Sequence, residues 1–465
     1  MCGIIGAITN NIDTINITHK IYELLFNLQH RGQDSFGIVT YNNIKNEVFS
    51  QKNKGLLDTN VEKIEFSKSN MGIGHVRYPT HGTNTIYEIQ PFTCYFNNIG
   101  ISLVHNGNIY NVDEIKLFLT NYNYNFNSTS DSEIILILFY HFIKNNLSEW
   151  DNDLSKLDND LIIKSIYNIY DLCKGSFSII IMIHGYGIIA VRDKYGIRPF
   201  VYNKFYNSVE FSSETIGLTE DSNYHNVENG EVIIVDNFLN ISKYRLYNEI
   251  LKPCIFEYIY FSRQESYIND VLVYDFRHNV GEEIVSDIDI DIINDIDIVV
   301  PVPLTSIISA SAIAYKINKP LKHVVQKNRY THRTFINKED EIIRNIKKIK
   351  IIKSLVKDKN LLLVDDSIVR GNTSKYIINL LRNAGANKIY FACCSPPIKF
   401  PNYYGICLYS NDELVANDKS IQEVCEYLNL DKLYYLSLEK TCNVLKKLNP
   451  KLEDFELSVF TGNYI

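Results

Sequence analysis

Cys2 is the residue of this chain with the clearest chemical potential, because it directly follows the initiator Met1. Removal of Met1 would leave Cys2 with both a thiol and a free α-amino group. An α-amine has a pKa of about 7.7 to 8.0, so a useful fraction is neutral near physiological pH and can take the thiol proton. The sequence therefore predicts an N-terminal nucleophile that becomes active only after Met1 is removed. An ordinary structural thiol is the alternative.

Four further segments of the first half suit this chemistry. In chain order they are HRGQDSFGI from His30, HVRYPTHG from His75, VHNGNIYN from Val104 and STSDSE from Ser128. Together they resemble the glutaminase motifs of N-terminal-nucleophile amidotransferases. The resemblance implies that the thiol attacks the side-chain amide of glutamine, and four motifs together favour this over a purely structural interpretation.

Three charged residues in these motifs are candidates for binding glutamine. Arg77 offers a planar pair of donors to an α-carboxylate, with a surface ion pair as the alternative. Asp131 can bind the substrate ammonium, with a cap of the helix predicted from EIILILFYHF as the alternative. The resemblance also assigns Arg31 to the glutamine site.

Asn106 and Gly107 are the candidates for stabilising the oxyanion that forms when an amide is attacked. Asn106 supplies a side-chain amide and Gly107 a backbone N–H. A plain Asn-Gly turn is the alternative. With the glutaminase motifs around them, Cys2, Asn106 and Gly107 are the predicted catalytic residues of the first half.

The second half contains a candidate phosphate site in LVDDSIVRGNTS. Leu361 to Val364 is an apolar run typical of a buried strand, and the carboxylates of Asp365 and Asp366 follow it. Thr373 and Ser374 offer hydroxyls that can cap the next predicted helix. A helix N-terminus binds phosphate, and the carboxylates can bind ribose hydroxyls or magnesium. A solvated turn is the alternative, and neither a GxGxxG nor a P-loop pattern is present.

This segment resembles the phosphoribosyl pyrophosphate loop of type I phosphoribosyltransferases, in the form carried by the amidophosphoribosyltransferase family. The resemblance continues through RDKYGIRPF, SSET, FEYIYFSR, VVPVPLTS and KNRYTHRTFI, and so spans nearly the whole chain. The residues that it assigns to phosphoribosyl pyrophosphate are Asp365, Asp366, Ser367, Arg370, Gly371, Asn372, Thr373, Ser374, Lys327 and Arg333. It assigns Mg²⁺ to Thr305, Asp365 and Asp366, and it places Lys327 and Arg333 in a loop that closes over the substrate.

The implied reaction has two stages. Glutamine is hydrolysed to glutamate, and the ammonia displaces pyrophosphate from C1 of the ribose to give 5-phosphoribosylamine, the committed step of purine synthesis. The resemblance also implies purine nucleotides as feedback inhibitors and a homo-oligomer, either a tetramer or a dimer. One alternative is another class II glutamine amidotransferase, such as a glucosamine-phosphate synthase or an asparagine synthetase. The other is a non-catalytic, nucleotide-sensing phosphoribosyltransferase homologue.

The pattern of elements predicts two domains. Up to about residue 235 short β-rich runs alternate with turns and helical stretches, whereas from about 295 strands alternate with amphipathic helices. With the resemblance, this gives an α+β N-terminal-nucleophile hydrolase αββα sandwich over residues 2–240 and an α/β type I phosphoribosyltransferase domain over 241–465. The second domain is expected to have a mostly parallel sheet and a C-terminal helical part.

Composition and charge restrict the class of protein. A formal net charge of −7 gives no electrostatic footprint for nucleic acid or a membrane surface. The nine cysteines show neither disulfide-scaffold nor zinc spacing, which fits a reducing compartment. No export signal is seen, so we expect a cytoplasmic protein. The apolar tract SFSIIIMIHGYGIIAVRD predicts two buried strands joined by a turn rather than a membrane span.

Several positions depart from the family pattern. Asn372 replaces the usual Thr of the phosphate loop, and Leu304 stands where an acid usually follows Pro-Val-Pro. His332 replaces a Gly of the closing loop, and Phe36 and Pro79 replace smaller residues beside the glutaminase motifs. These changes are expected to alter affinity, loop closure or pocket shape.

A second departure concerns the iron–sulfur cluster that some family members carry on four cysteines. Cys254 stands at one of these positions, but Asn402, Glu456 and Val459 occupy the other three. Three non-thiolate side chains cannot hold such a cluster, so we expect none.

Overall fold

The structure is a computed structural model, and it describes residues 2–58, 67–78, 85–96, 99–146, 157–327, 349–406, 408 and 410–465. The predicted ligand Arg333 and the departures His332 and Pro79 lie outside the described residues. Within these ranges, no helix is long and apolar enough to cross a bilayer.

The first half of the chain contains two antiparallel sheets and four described helices. The strands are β1 (Gly3–Thr9), β2 (Ser35–Asn42), β3 (Glu47–Lys54), β4 (Met71–Arg77), β5 (Phe92–Phe96), β6 (Ile99–Ile109), β7 (Gly175–Ile183), β8 (Gly187–Arg192), β9 (Val201–Lys204), β10 (Ser208–Ser212), β11 (His225–Asn226), β12 (Glu231–Asp236) and β13 (Ile241–Arg245). The helices are α1 (Ile17–Asn27), α2 (Val112–Thr120), α3 (Asp131–Asn146) and α4 (Asn159–Leu172). The sheet orders are β11-β9-β10-β1-β4-β2-β3 and β13-β12-β8-β7-β6-β5.

The alternation of side chains along β1 explains how these elements form layers. Ile4 and Ile8 lie in the core between the two sheets, whereas Ile5 and Ala7 pack under α1. Successive side chains of a strand point to opposite faces, so a strand that is apolar throughout can serve two cores. On the far side, α3 and α4 cover the second sheet. The layer order helix–sheet–sheet–helix confirms the predicted αββα sandwich.

The apolar tract that begins at Ser176 forms two strands as predicted. β7 and β8 pair in antiparallel fashion across a turn. Their apolar side chains are buried on both faces, because this sheet is covered by α3 and α4 on one side and by the first sheet on the other. A strand with two buried faces is a continuous hydrophobic run, which explains its membrane-like composition.

The second half is built around a four-stranded parallel sheet with the order β16-β19-β20-β21. Its strands are β14 (Tyr267–Ile268), β15 (Val271–Leu272), β16 (Ile298–Pro301), β17 (Val325–Lys327), β18 (Ile349–Ile351), β19 (Asn360–Asp365), β20 (Lys388–Cys393) and β21 (Lys432–Tyr435). Its helices are α5 (Val273–Ile284), α6 (Ile290–Asp295), α7 (Ile307–Lys316), α8 (Asn372–Asn383), α9 (Ile421–Leu428), α10 (Leu438–Leu448) and α11 (Ser458–Thr461). α5, α7 and α10 cover one face of the sheet, and α8 and α9 cover the other. This arrangement confirms the predicted α/β class.

The second sheet of the first half continues past residue 240, where the boundary between the domains is predicted. β13 pairs with β12, so the second sheet continues through Arg245. Conversely, Ile197 of the first half packs in the core of the second half. The two halves therefore share a continuous packed surface.

We call the surface shared by the two halves the seam. A cluster of buried charges lies on it. Arg31 Nη2 donates to Glu257 Oε1 at 2.9 Å, and Arg31 Nη1 donates to Glu214. Arg198 Nη1 donates to the same Oε1 of Glu257 at 3.3 Å. All four side chains are at most 1% exposed. Charges removed from water are tolerated only when paired, so Arg31 and Arg198 depend on Glu257.

The substitution Glu257→Gln tests this dependence. We expect it to reduce the free energy of unfolding by about 3–5 kcal/mol, because it leaves two buried guanidinium groups without their shared countercharge. Thermal unfolding followed by circular dichroism measures the effect. Glu265→Gln is the control, since Glu265 forms an exposed pair with Arg263 that is worth about 1 kcal/mol or less. Equal melting temperatures for the two variants would contradict the expectation.

Candidate active sites

Cys2 lies beside the end of β4 and next to β6. In the β1–β4 register Gly3 stands opposite Val76, so Cys2 comes level with the last residue of β4. The Cys2 N–H donates to Asn106 Oδ1 at 3.3 Å, and its Sγ lies 3.9 Å from the carbonyl oxygen of Tyr78. Two of the three predicted catalytic residues, from distant parts of the sequence, are therefore in contact through the backbone of Cys2 and the side chain of Asn106.

Asn106 has the geometry of an oxyanion donor. It is fully buried on β6, and its Oδ1 accepts the bond from Cys2, which directs Nδ2 away from that contact. Among the described residues, Nδ2 has no hydrogen-bond partner. A buried donor without an acceptor costs roughly 1–3 kcal/mol, so the site favours a ligand that brings an acceptor to it.

Gly107 is restricted to glycine by its neighbour strand. A Cβ built at Gly107 would lie 2.0 Å from the carbonyl oxygen of Ser176 on β7. Only glycine fits at this position. The backbone of Gly107 therefore lies directly against β7, and its position depends on that strand. The predicted pair Asn106 and Gly107 sits on a strand rather than in the alternative Asn-Gly turn.

Asp131 is the first residue of α3, and its carboxylate is directed toward β6. Oδ2 accepts from the Ile109 N–H at 3.1 Å and lies 3.6 Å from His105 Nδ1, while Oδ1 accepts from the Ser132 hydroxyl. Burial raises the pKa of Asp131, but His105 and these hydrogen bonds outweigh it, so the pKa is below its usual value. Asp131 is therefore an ionised carboxylate near the strand that carries Asn106, as binding a substrate ammonium requires.

Arg77, the second charged candidate for binding glutamine, is the last residue of β4 and is largely buried. His75, two residues earlier, is fully buried, and neither of its ring nitrogens has a hydrogen-bond partner among the described residues. Burial, followed by the charge of Arg77, lowers the pKa of His75 well below its ordinary value. His75 is therefore neutral, and Arg77 supplies positive charge at this end of the site.

Arg31 contacts the backbone of Cys2, the predicted nucleophile. Its Nε donates to the Cys2 carbonyl oxygen at 2.9 Å, and its Nη atoms donate to Glu214 and Glu257. Burial by itself lowers the pKa of Arg31, but the charges of Glu257 and Glu214 raise it by more. The net shift is upward, so the guanidinium group stays charged. This geometry differs from the predicted glutamine contact, because acceptors within the protein already engage the donors of Arg31.

The phosphate loop joins the carboxyl end of β19 to the N-terminus of α8. Gly371 adopts a positive φ of 75° and is the N-cap of α8, which begins at Asn372. Thr373 and Ser374 therefore lie within the first helical turn, and the predicted N-cap role of their hydroxyls is wrong. A glycine cap brings no side chain to this end, so among the described residues no side chain caps the helix. The first-turn N–H groups remain able to bind an anion.

Asp365 and Asp366 are both buried at the carboxyl edge of the parallel sheet. The hydroxyls of Thr305 and Ser367 donate to Asp366, and the Asp366 N–H donates to Asp365 at 3.0 Å. Burial, and then the charge of Asp366, raises the pKa of Asp365 well above its ordinary value. Burial also raises the pKa of Asp366, although the hydroxyls of Ser367 and Thr305 and the charge of Arg277 act in the opposite direction. This oxygen-rich pair fits Mg²⁺, which binds through one or two carboxylates together with substrate oxygens.

The remaining predicted ligands of this site lie at its margins. Arg370 is half-exposed and pairs with Glu413, and Lys327 is the last residue of β17. Leu304, which replaces the usual acid, is 59% exposed beside Thr305 and supplies no oxygen to the Asp366 region. Phe36, the larger residue beside the glutaminase motifs, is fully buried in the core under α1.

The four positions that correspond to the cysteine ligands of an iron–sulfur cluster lie close together, but their groups are engaged in hydrogen bonds within the protein. Asn402 Nδ2 donates to Glu456 Oε2 at 3.4 Å, and Glu456 forms a backbone bridge with Cys254. Burial raises the pKa of the Cys254 thiol to about 12, so it stays protonated. Val459 contributes its backbone carbonyl to Lys399 and Phe400. One protonated thiol in a hydrogen-bonded set does not fit an iron–sulfur cluster.

Two features of the sites escape sequence reasoning. Glu214 and Glu257 occur in the segments SSET and FEYIYFSR, which are noticed as family-like but carry no assigned role. The motifs also give no indication that the segment NYYGI, which begins at Asn402, packs against β6. A glycine between aromatic and apolar residues is the signal that could have marked it, because such a glycine often permits a close backbone approach.

Comparison with known proteins supports the family resemblance of both halves of the chain. Residues 83–220 match a glutamine amidotransferase domain family, and residues 278–395 match a phosphoribosyl transferase domain family. The amidophosphoribosyltransferase of Haemophilus influenzae is 39% identical, with 100% of this chain and 93% of that protein covered. The chain belongs to the amidophosphoribosyltransferase family. The Escherichia coli member is 38% identical, with 100% and 92% covered.

A solved structure extends the likeness to three dimensions. The glutamine phosphoribosylpyrophosphate amidotransferase of B. subtilis, complexed with ADP and GMP, superposes with a TM-score of 0.85 at 31% identity. The superposition covers 100% of this chain and 97% of the other. The predictions that the chain is an enzyme of the amidophosphoribosyltransferase family and has its two-domain architecture are confirmed.

The altered cluster positions generate a prediction about metal content. We expect protein purified anaerobically to contain no stoichiometric iron or acid-labile sulfide, because Asn402, Glu456 and Val459 offer no thiolate. Colorimetric iron and sulfide analysis, together with the absorption spectrum, provides the measurement. A stoichiometric cluster in the purified protein would contradict this expectation.

Proposed function

We propose that this chain hydrolyses glutamine at Cys2 and transfers the ammonia to C1 of 5-phosphoribosyl 1-pyrophosphate. The products are 5-phosphoribosylamine, glutamate and pyrophosphate, and the reaction is the first committed step of de novo purine (IMP) synthesis. The observation that carries the proposal is the buried Nδ2 of Asn106, a donor without a partner among the described residues and held next to Cys2 through its own Oδ1.

The first stage begins when the Cys2 sulfur attacks the amide carbon of glutamine. Once Met1 is removed, the Cys2 nitrogen that faces Asn106 is an α-amine able to accept the thiol proton. The amide oxygen becomes an oxyanion, which Asn106 Nδ2 and the Gly107 N–H stabilise. The proton then passes to the departing nitrogen, ammonia leaves, and a thioester remains. Water hydrolyses the thioester to glutamate and restores the thiol.

Charged side chains orient glutamine and the nucleophile during this stage. Arg77 binds the α-carboxylate, and Asp131, whose pKa is below its usual value, binds the α-ammonium. Arg31 acts one step away, since it bonds the Cys2 carbonyl oxygen and holds the backbone from which the thiol projects. We therefore assign Arg31 a positioning role.

The second stage takes place at the carboxyl edge of the parallel sheet. The first-turn N–H groups of α8 bind the 5′-phosphate, assisted by the hydroxyls of Thr373 and Ser374. Asp365, Asp366 and Thr305 would hold Mg²⁺, which supplies positive charge to the pyrophosphate leaving group. Ammonia forms the new C–N bond at C1 as the bond to pyrophosphate oxygen breaks, and it loses one proton. Lys327 and Arg333 would bind the same anion.

Regulation and assembly complete the proposal. A structural relative is described as complexed with ADP and GMP, and another solved structure with a TM-score of 0.85 and 31% identity is titled the allosteric regulatory enzyme of purine biosynthesis. These descriptions support purine nucleotides as feedback inhibitors of this chain. We further propose that it acts in the cytoplasm as a homotetramer or homodimer.

The substitution Cys2→Ala separates the two stages. We expect glutamine-dependent pyrophosphate release to fall by about 10⁴-fold or more, because the nucleophile is lost. Release with ammonia as donor should persist, since the second site does not use the thiol. Glutamate and pyrophosphate are measured with Mg²⁺ and phosphoribosyl pyrophosphate present.

Cys94→Ala serves as the matched control, because it removes another thiol of the same half and should leave both activities intact. Loss of ammonia-dependent activity in Cys2→Ala would refute the two-stage mechanism. Absence of pyrophosphate release by the parent protein would favour one of the two alternative functions.

The substitution Asp366→Asn tests the second site. We expect ammonia-dependent pyrophosphate release to fall by about 100-fold or more, with a higher Mg²⁺ requirement, because one carboxylate of the metal site is neutralised. The assay with ammonia as donor makes the result independent of Cys2. Asp358→Asn, a change at an exposed aspartate of the same half, is the control. Similar activity in the two variants would contradict the assignment.

A further inference from the structure

The segment Asn402–Ile406, which we call the seam segment, belongs to the second half but lies against β6 of the first half. Its Gly405 has a positive φ of 104° and stacks on the backbone of Gly107. A Cβ built at Gly405 would lie 3.2 Å from both the carbonyl carbon and the carbonyl oxygen of Gly107. This distance is tighter than an ordinary contact, and the partner atoms are backbone. A side chain at 405 would therefore displace Gly107 or the seam segment.

Hydrogen bonds attach the seam segment to β6, the strand that contains Gly107, and to its neighbour β7. Asn108 Nδ2 on β6 donates to the Tyr403 carbonyl oxygen at 2.8 Å. Ser176 Oγ on β7 donates to the Tyr404 carbonyl oxygen at 2.8 Å. Asn108 and Ser176 are cross-strand partners, so these bonds fix the β6–β7 pair next to Gly107.

Charge strengthens the same attachment. Arg198 Nε donates to the Tyr404 carbonyl oxygen at 2.7 Å, while its Nη1 reaches Glu257 at 3.3 Å. Arg198 is fully buried, so its bonds are not exchanged with water. The seam segment is thereby connected to the buried charges that also contact Cys2 through Arg31.

The seam segment is itself held in one conformation by Asn402. Asn402 Oδ1 accepts from the N–H groups of Tyr404 and Ile406 at 2.9 and 3.0 Å. Its Nδ2 donates to Glu456 and to the Ser458 hydroxyl at 3.4 and 3.3 Å. Asn402 and Glu456 are both buried. The surface presented to Gly107 is therefore a rigid one.

We propose that the seam segment positions the oxyanion-binding backbone, so that the second half completes the glutaminase site of the first half. Gly405 is the positioning residue, because its missing side chain sets how closely Gly107 is approached. The inference rests on the proposed function, in which Asn106 and Gly107 stabilise the oxyanion. It adds that these groups are aligned from outside their own domain.

The substitution Gly405→Ala tests the proposal. We expect the kcat for glutamine hydrolysis to fall by about 10–100-fold with the KM for glutamine changed by less than about 2-fold, because oxyanion donors act in the transition state rather than on bound substrate. Ammonia-dependent pyrophosphate release should be unchanged. Asn108→Ala removes one attachment of the seam segment without adding bulk, and we expect a smaller fall in the same kcat.

Gly385→Ala is the matched control. Gly385 also has a positive φ, 91°, but its Cβ would face Lys357, away from β6. The control therefore carries the backbone strain of a glycine replacement without the contact to Gly107, and it should retain glutamine-dependent kcat.

Asn106→Ala, measured in parallel, keeps this inference distinguishable from the proposed function. If Asn106→Ala retained full glutamine-dependent kcat, the oxyanion assignment itself would fail. If Asn106→Ala lost activity while Gly405→Ala and Asn108→Ala matched Gly385→Ala, the positioning role would be overturned and the proposed function would stand. Equal losses of glutamine- and ammonia-dependent activity would also overturn it. If Gly405→Ala does not fold, the kcat of Asn108→Ala decides.

Discussion

The carboxylate of Glu257 accepts hydrogen bonds from two buried guanidinium groups, and much of the molecule is arranged around this shared charge. Arg31 extends from it to the Cys2 backbone, and Arg198 extends from it to the Tyr404 carbonyl. Both arginines come from the first half of the chain and the carboxylate from the second. A buried charge is stable only with its partner. Each half without the other would therefore expose charged groups that lack their partners. The backbone of Cys2, the proposed nucleophile, is thus anchored by a contact between the two halves.

The apolar layers and the polar seam make different contributions. The αββα sandwich pairs β1 with β4 in the first sheet and packs this sheet on the one that contains β6, which brings Cys2 and Asn106 together although they are far apart in sequence. Hydrophobic packing is not directional, so by itself it does not orient an amide or a carbonyl group. The hydrogen bonds of Arg31 and Arg198 supply this orientation. Core and seam therefore divide the tasks of stability and alignment.

Much of the fold follows from local pattern, whereas the contacts of single polar residues do not. Alternation of apolar residues and the strand–loop–helix order of LVDDSIVRGNTS identify the elements, and the motifs identify Cys2 and Asn106. The glutamine contact predicted for Arg31 differs from its observed geometry because its partners, Glu214 and Glu257, lie far away in the sequence and are chosen by the tertiary fold. The helix cap is misplaced for a local reason, since Gly371 can take a positive φ and start α8 earlier than the hydroxyl residues indicate.

The hydrogen bonds of Asn402 with Glu456 and Ser458 have a consequence for how the protein matures. Amide, carboxylate and hydroxyl groups are present in the chain as it leaves the ribosome, and they pair as soon as the backbone comes together. The support that we propose for the Gly107 strand is thus formed from the chain's own side chains as it folds. Because oxygen does not oxidise amide, carboxylate or hydroxyl groups under ordinary conditions, these hydrogen bonds do not depend on the redox state of the surroundings.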